Sequence, residues 1–172
     1  MTKFARIAAL AAVATFVATP AFAAPVAANP AAKAKARIIK PLTLTANTDL
    51  DFGTIVVGDL TGGAESVVLD PSDSSLTCGA NLTCAASGTL AEYTITGTNN
   101  LDVTVYAVAS NLTNTTSGGN ETLSFTPDAP ATVNLGNSGS VGTDFVVGGS
   151  ISISSATVDG VYEGDMNVTV DY

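Results

Sequence analysis

Gly160-Val-Tyr-Glu-Gly-Asp-Met-Asn-Val-Thr-Val-Asp-Tyr172 is the stretch whose alternation decides the fold class. Side chains along a strand point in turn to two opposite faces. The even positions are Tyr162, Gly164, Met166, Val168, Val170 and Tyr172, mostly apolar, while Glu163, Asp165, Asn167, Thr169 and Asp171 are all polar. This is the pattern of a half-buried antiparallel strand. It predicts Tyr162, Met166, Val168 and Val170 in a core, with Glu163, Asp165 and Asp171 in solvent or at an interface. A strand so regular needs a pairing partner, and the identity of that partner is the functional question.

Working outward, the rest of the chain reads as strands. Residues 32–45 alternate, with Ala32, Ala34, Ala36, Ile38, Leu42 and Leu44 on one face and Lys33, Lys35, Arg37, Thr43 and Thr45 on the other. Pro41 interrupts that run and marks an edge or a bend. Further strands are expected at 50–57, 65–69, 91–96, 101–109, 121–125, 132–135 and 144–154. Turn signals separate them at Gly62-Gly63, Asn99-Asn100, Ser117-Gly-Gly-Asn120 and Gly136-Asn-Ser-Gly139. No stretch of helical period survives beyond the first two dozen residues. Short strands at this spacing predict an all-β sandwich of antiparallel strands with Greek-key links. The expected organisation is a signal peptide at 1–23, a flexible basic arm at 24–36 and one sandwich domain at 37–172.

The opening of the chain carries the export signal. Lys3 and Arg6 precede an Ala-rich apolar run, and Pro20-Ala-Phe-Ala23 puts small residues where a signal peptidase reads them. The run is too short for a membrane anchor. The expected location is therefore the periplasm, the cell surface or the medium, in a Gram-negative bacterium, with no membrane span after cleavage. In an exported chain the isolated pair Cys78 and Cys84 reads as a structural disulfide. Such a short loop gains of order 2 kcal/mol from closure.

Charge is segregated. Lys33, Lys35, Arg37 and Lys40 are the only basic residues after Arg6, and every acid lies from Asp49 onward. A net charge of −9 keeps an exported protein dispersed and makes nucleic acid a poor partner. Catalytic signals are missing. The chain has no His, so Ser-His-Asp and Cys-His catalysis are excluded and zinc lacks donors. Asp51-Phe-Gly53 matches a kinase triplet without any companion motif, and Gly136-Asn-Ser-Gly-Ser-Val-Gly142 lacks the lysine of a phosphate loop. Asp70, Ser72 and Asp73 allow either a calcium loop or a turn with local side-chain bonds, the turn being favoured. The chain is expected to be no enzyme and to hold no metal or other cofactor.

These residues also carry a resemblance. Pro41-Leu-Thr-Leu-Thr45, Leu50-Asp-Phe-Gly-Thr-Ile55, Ala91-Glu-Tyr-Thr-Ile-Thr-Gly97, Val147-Gly-Gly-Ser-Ile-Ser-Ile153 and the closing strand resemble the secreted bacterial family called domain of unknown function 4402. That family is similar to spore coat protein U and, more distantly, to chaperone–usher pilin subunits. The resemblance implies an incomplete immunoglobulin-like, pilin-like sandwich whose groove is filled by an added strand, first from a chaperone and then from the next subunit. Carried onto this chain, it puts the groove beside 162–172 and the donor arm within 24–38. The two-residue period would set Lys33, Lys35 and Arg37 of the arm against Glu163, Asp165 and Asp171 of the last strand, so the expected assembly residues are these with Ile38, Tyr162, Met166, Val168, Val170 and Tyr172. The expected partners are copies of the chain and a periplasmic chaperone and usher.

One departure from pilins stands out. The arm offers Val26, a series of alanines and Ile38 where donor strands present bulky apolar residues. Two readings follow: a shallow groove, or residues 32–45 as the first strand of a closed domain. The expected function is a non-enzymatic surface subunit, fimbria-like or coat-like, assembling by strand addition. The alternative is a monomeric, adhesin-like binding module. An outer-membrane barrel lacks support, because the aromatic girdles and long alternating segments are missing.

Overall fold

The computed structural model describes residues 23–85, 87–116, 121–137 and 141–172. The signal-peptide reading, apart from Ala23, and the turn signals at 117–120 and 138–139 lie outside them. Ile38–Tyr172 forms one compact unit. Residues 23–37 belong to another unit, carry no strand, and are all exposed.

The compact unit is all-β. Its strands are β1 (Thr43–Thr48), β2 (Ile55–Val57), β3 (Glu65–Leu69), β4 (Leu76–Cys78), β5 (Leu82–Cys84), β6 (Ala91–Thr96) and β7 (Asp102–Val108). They continue as β8 (Ser110–Asn114), β9 (Thr122–Asp128), β10 (Thr132–Asn134), β11 (Thr143–Ile153), β12 (Tyr162–Glu163) and β13 (Asn167–Asp171). All pairings are antiparallel, and no helix among the described residues is long and apolar enough to cross a membrane. An eight-stranded sheet runs β1-β6-β11-β9-β8-β12, with β3 and β4 attached through β11. A three-stranded sheet, β10-β7-β13, faces it, and β2 pairs with β5.

Alternation builds the core as the physics of a pleated strand requires. β6 sends Ala91, Tyr93 and Ile95 inward, while β7 sends Val103 and Val105 to meet them. Phe145 and Val147 of β11 complete this layer between the two sheets, with Tyr93 stacked on Phe145 at 5.4 Å. A second cluster gathers Val67 and Leu69 of β3, Leu123 and Phe125 of β9, and Ile151 and Ile153 of β11 around Phe52. One long strand serves both clusters. Residues 143–147 of β11 pair with β6, and 149–153 pair with β3. Gly148 and Gly149 mark the handover. A Cβ on Gly148 would strike the Leu69 carbonyl oxygen, and one on Gly149 would lie 2.6 Å from that of Thr126.

Two expectations need correcting. First, the closing stretch is not one strand. It breaks at 164–166, where the Val168 amide donates to the Met166 carbonyl at 3.2 Å. β12 belongs with β8 in the large sheet and β13 with β7 in the small one. The β7–β8 and β12–β13 segments thus form one ribbon that bends from sheet to sheet, a standard way of turning a sandwich corner. Second, Tyr162, Met166, Val168 and Val170 do face inward, but they are half-buried. They lie on β12, on β13 and on the bend between them, and both strands stand at the end of a sheet. At the other end, strand structure begins only at Thr43, because Pro41 lacks an amide donor and disrupts the alternating run.

Val168 packs on the inter-sheet cluster while its neighbour Asn167 is exposed. Val168→Asp is therefore expected to cost about 1–3 kcal/mol, by placing a charge against apolar side chains, and Asn167→Asp less than about 0.5 kcal/mol. Urea denaturation of both variants checks this, and equal losses would contradict the facing assigned to β13.

Candidate functional site

Three strands cannot cover eight. The uncovered part of the large sheet is a groove of about 1530 Å³. Its floor includes the buried Phe52, Leu123, Phe125, Ile151 and Ile153 and the half-buried Leu112 and Met166. One wall is formed within residues 46–57 and the other by 157–166. Small-molecule pockets span about 300–1000 Å³, so this space has the size of a chain segment more than of a metabolite.

The first wall follows from Leu50-Asp-Phe-Gly53. Asp51 and Thr89 exchange backbone hydrogen bonds at 2.9 and 2.7 Å. The Asp51 carboxylate then accepts the Gly53 amide at 2.7 Å, and Gly53 takes φ +71°, a left-handed conformation suited to glycine. That turn drives Phe52 inward, edge-on to Phe125 at 6.2 Å. Beyond it, β2 pairs only with β5 among the described strands. β5 is tied to β4 by the Cys78–Cys84 disulfide, as the cysteine pattern predicts. Glu65 reinforces the link, its carboxylate accepting the Asn81 amide at 2.8 Å and the Asn81 side chain at 2.6 Å.

The second wall hangs on the end of β8. Buried Asn114 donates from Nδ2 to the Asp159 carbonyl at 3.1 Å. The Thr115 amide donates to the Val161 carbonyl at 2.7 Å, and the Val161 amide to Thr116 Oγ1 at 2.9 Å. Tyr162 donates its hydroxyl proton to the Val158 carbonyl at 2.7 Å. Both walls carry acids: Asp49 and Asp51 on one, Asp159, Glu163 and Asp165 on the other, all exposed. Tyr93 also lines the groove, and burial, with the Asp49 charge adding to it, pushes its phenol up.

The expected assembly residues divide. Tyr162, Glu163, Asp165 and Met166 line the groove. Val168 and Val170 pack instead on the inter-sheet cluster, and Asp171 pairs across to Thr104. Tyr172 acts elsewhere: its hydroxyl donates to the Lys40 carbonyl at 2.7 Å and accepts the Thr98 amide at 2.8 Å. Lys33, Lys35 and Arg37 are exposed and precede the compact unit, and Ile38 is itself 91 % exposed. Asp49, Asp51 and Asp159 were not anticipated as site residues. Asp70 accepts both the amide and the hydroxyl of Ser72, at 2.8 and 2.6 Å, which holds its carboxyl below the usual range. Asp73 accepts the Ser75 amide at 2.9 Å, so this stretch is a turn. No group of three or more metal-binding side chains occurs among the described residues.

A family model described as "Domain of unknown function (DUF4402)" matches residues 42–172. The chain belongs to this family. No curated protein and no solved structure matches it. The matched region starts just before β1 and takes in both groove walls, while the basic residues at 33–40 precede it.

Because β5 joins β2 to β4 through the disulfide, reduction should loosen the first wall before the core. Amide exchange at 55–57 and 82–84 is expected to quicken on reduction, while 91–96 and 143–147 stay protected. Global stability should fall by about 2 kcal/mol. Unchanged exchange at 55–57 would mean that the disulfide does not hold the wall.

Proposed function

We propose that this protein is an exported, non-enzymatic structural subunit of a cell-surface assembly, fimbria-like or coat-like, that joins its neighbours by β-strand addition. The observation that carries this reading is the open groove, an apolar floor beside strand edges that have no partner among the described strands. Among the described strands β1 pairs only with β6, β12 only with β8, and β13 only with β7. An unpaired edge exposes amides and carbonyls that template another strand, and natural proteins normally cover or blunt it. An added strand satisfies those groups and removes the floor from water in one step. Contact between a groove on one copy and a segment elsewhere on the next is head-to-tail, which generates open filaments or rings. A periplasmic chaperone would cap the groove before assembly, and an outer-membrane usher would order the exchange; both partners belong to the proposal.

Leu112 is half-buried on the groove floor, so a lysine there can keep its head in solvent while spoiling the apolar seat. The exported protein is expected to sediment as multimers, or as a complex with a chaperone. Leu112→Lys should reduce it to monomers with a melting temperature within a few degrees of the parent. A wild-type protein that is monomeric and alone at all concentrations would sink this reading and favour the adhesin-like module.

A further inference from the structure

We infer that Asn167 is the acceptor for an N-linked oligosaccharide, transferred outside the cytoplasm from a polyprenyl diphosphate carrier. The inference rests on the export part of the proposed function, because export brings the chain to such a transferase, and it does not depend on strand addition.

The sequence holds five Asn-x-Thr triplets, at Asn81, Asn111, Asn114, Asn120 and Asn167. In an exported protein such a triplet is an acceptor where it lies open on the surface. Asn120 lies outside the described residues. The fold ties up three of the others. Asn114 is 2 % exposed, and its Nδ2 donates to the Asp159 carbonyl at 3.1 Å. Asn81 is exposed, but its Nδ2 donates to the Glu65 carboxylate at 2.6 Å. Asn111 lies inside β8, which pairs with β9 on one side and β12 on the other. Such a carboxamide reaches an enzyme's cleft only when part of the sheet opens.

Asn167 differs on each point. It is exposed, and its side chain makes no hydrogen bond to another described residue. It is the first residue of β13, which stands at the edge of the three-stranded sheet. The Val168 amide donates to the Met166 carbonyl at 3.2 Å, a three-residue turn with Asn167 at its apex. The chain is therefore bent and accessible at the acceptor itself. Of the five triplets this one alone has an acid two residues before its asparagine, Asp165, where the others have Gly79, Ala109, Leu112 and Gly118. Asp165, Asn167 and Thr169 are all exposed. They offer a transferase a charge to hold, an amide to modify and a hydroxyl to hydrogen-bond, at the two-residue spacing of an extended chain.

The surrounding face suits a sugar. Val108 stands opposite Asn167 and Tyr106 opposite Thr169, and they are 60 % and 52 % exposed. Ring C–H groups of the first sugars find an apolar seat there. Neither Asn167 nor Thr169 lines the groove, so a sugar on this face leaves the groove open. In the transfer, Asn167 Nδ2 forms a bond to C1 of the linking sugar and the C1–O bond to the diphosphate breaks. Polyprenyl diphosphate leaves with that electron pair, and one amide proton passes to a base of the transferase.

The full exported protein, purified from a strain without such a transferase, tests this. It is incubated with a purified bacterial oligosaccharyl transferase and a short oligosaccharide on polyprenyl diphosphate. Intact mass and peptide mapping should show one oligosaccharide, at Asn167. Asn167→Gln should remove it, while Asp165→Asn and Thr169→Ala should each slow transfer at least tenfold. A synthetic peptide of residues 160–172 and its Asp165→Asn form keep the comparison readable if a variant does not fold. An unmodified folded chain overturns the inference even where the peptide is modified. Equal or greater occupancy at another asparagine, or transfer indifferent to Asp165→Asn, overturns it too. Such a failure, read by mass on a protein that has been exported, leaves strand addition to the Leu112→Lys test. A protein found only in the cytoplasm removes export, and this inference with it.

Discussion

The architecture depends on an imbalance between two sheets. Eight strands lie in one and three in the other. A sheet is stable in water only when one face is covered, and β10, β7 and β13 cover only the part of the large sheet over Tyr93, Ile95 and Val147. The remainder, around Phe52, Leu123, Phe125 and Ile153, is sealed by shorter pieces and loops. The turn after Leu50 and the β2–β5 pair close one side, and residues 157–166 close the other. Neither closure completes a sheet. The opening between them is where the packing stops, and that is why Met166 and Tyr162, although turned inward, keep part of their surface in water.

Such an opening survives only if its walls are held from outside. The two walls are held by different means. The first relies on a covalent bond, the disulfide from β5 to β4, backed by the Glu65 carboxylate accepting two hydrogen bonds from Asn81. The second relies on hydrogen bonds from the end of β8 to the backbone at 159 and 161. Asn114 is the only buried polar residue among those described, and its place under the second wall fits that role. A buried amide left without its partners would be costly, so the geometry at 159–161 is tightly specified.

The strand content was legible in the sequence because alternation is local. β3 and β6 coincide with their expected limits, and the antiparallel sandwich follows from the count and spacing of apolar runs. Three strands escaped notice. Leu76–Cys78 and Leu82–Cys84 are too short to alternate visibly, and Ser110–Asn114 has one large apolar residue, Leu112. The break at 164–166 was hidden for another reason. A strand that switches sheets keeps its two-residue period across the bend, so facing alone reads as continuous. The groove was visible only in half. Tyr162, Glu163, Asp165 and Met166 were placed by periodicity, but Asp49, Asp51 and Asp159 reach it through a turn, a bridge to Thr89 and a bond from Asn114. The bridge to Thr89 and the bond from Asn114 are long-range contacts, and no local pattern encodes them.

The separation of charge along the chain acquires a physical sense in the proposed assembly. Domains that carry acids and almost no cations repel one another, so copies have no electrostatic reason to meet face to face. Within residues 23–172, three of the four cations lie in the arm. Attraction is then confined to arm-against-domain contact, which is head-to-tail by construction and disfavours closed symmetric dimers. The alanine face of the arm contributes little burial, at roughly 0.8 kcal/mol for each CH2-sized group removed from water. Most of the affinity would come from the ladder of main-chain hydrogen bonds, which is blind to sequence. A ladder alone would accept any extended segment. What distinguishes one segment from another in such a shallow groove is the charge it presents at the mouth, and Lys33, Lys35 and Arg37 present the sign that the walls of the groove lack.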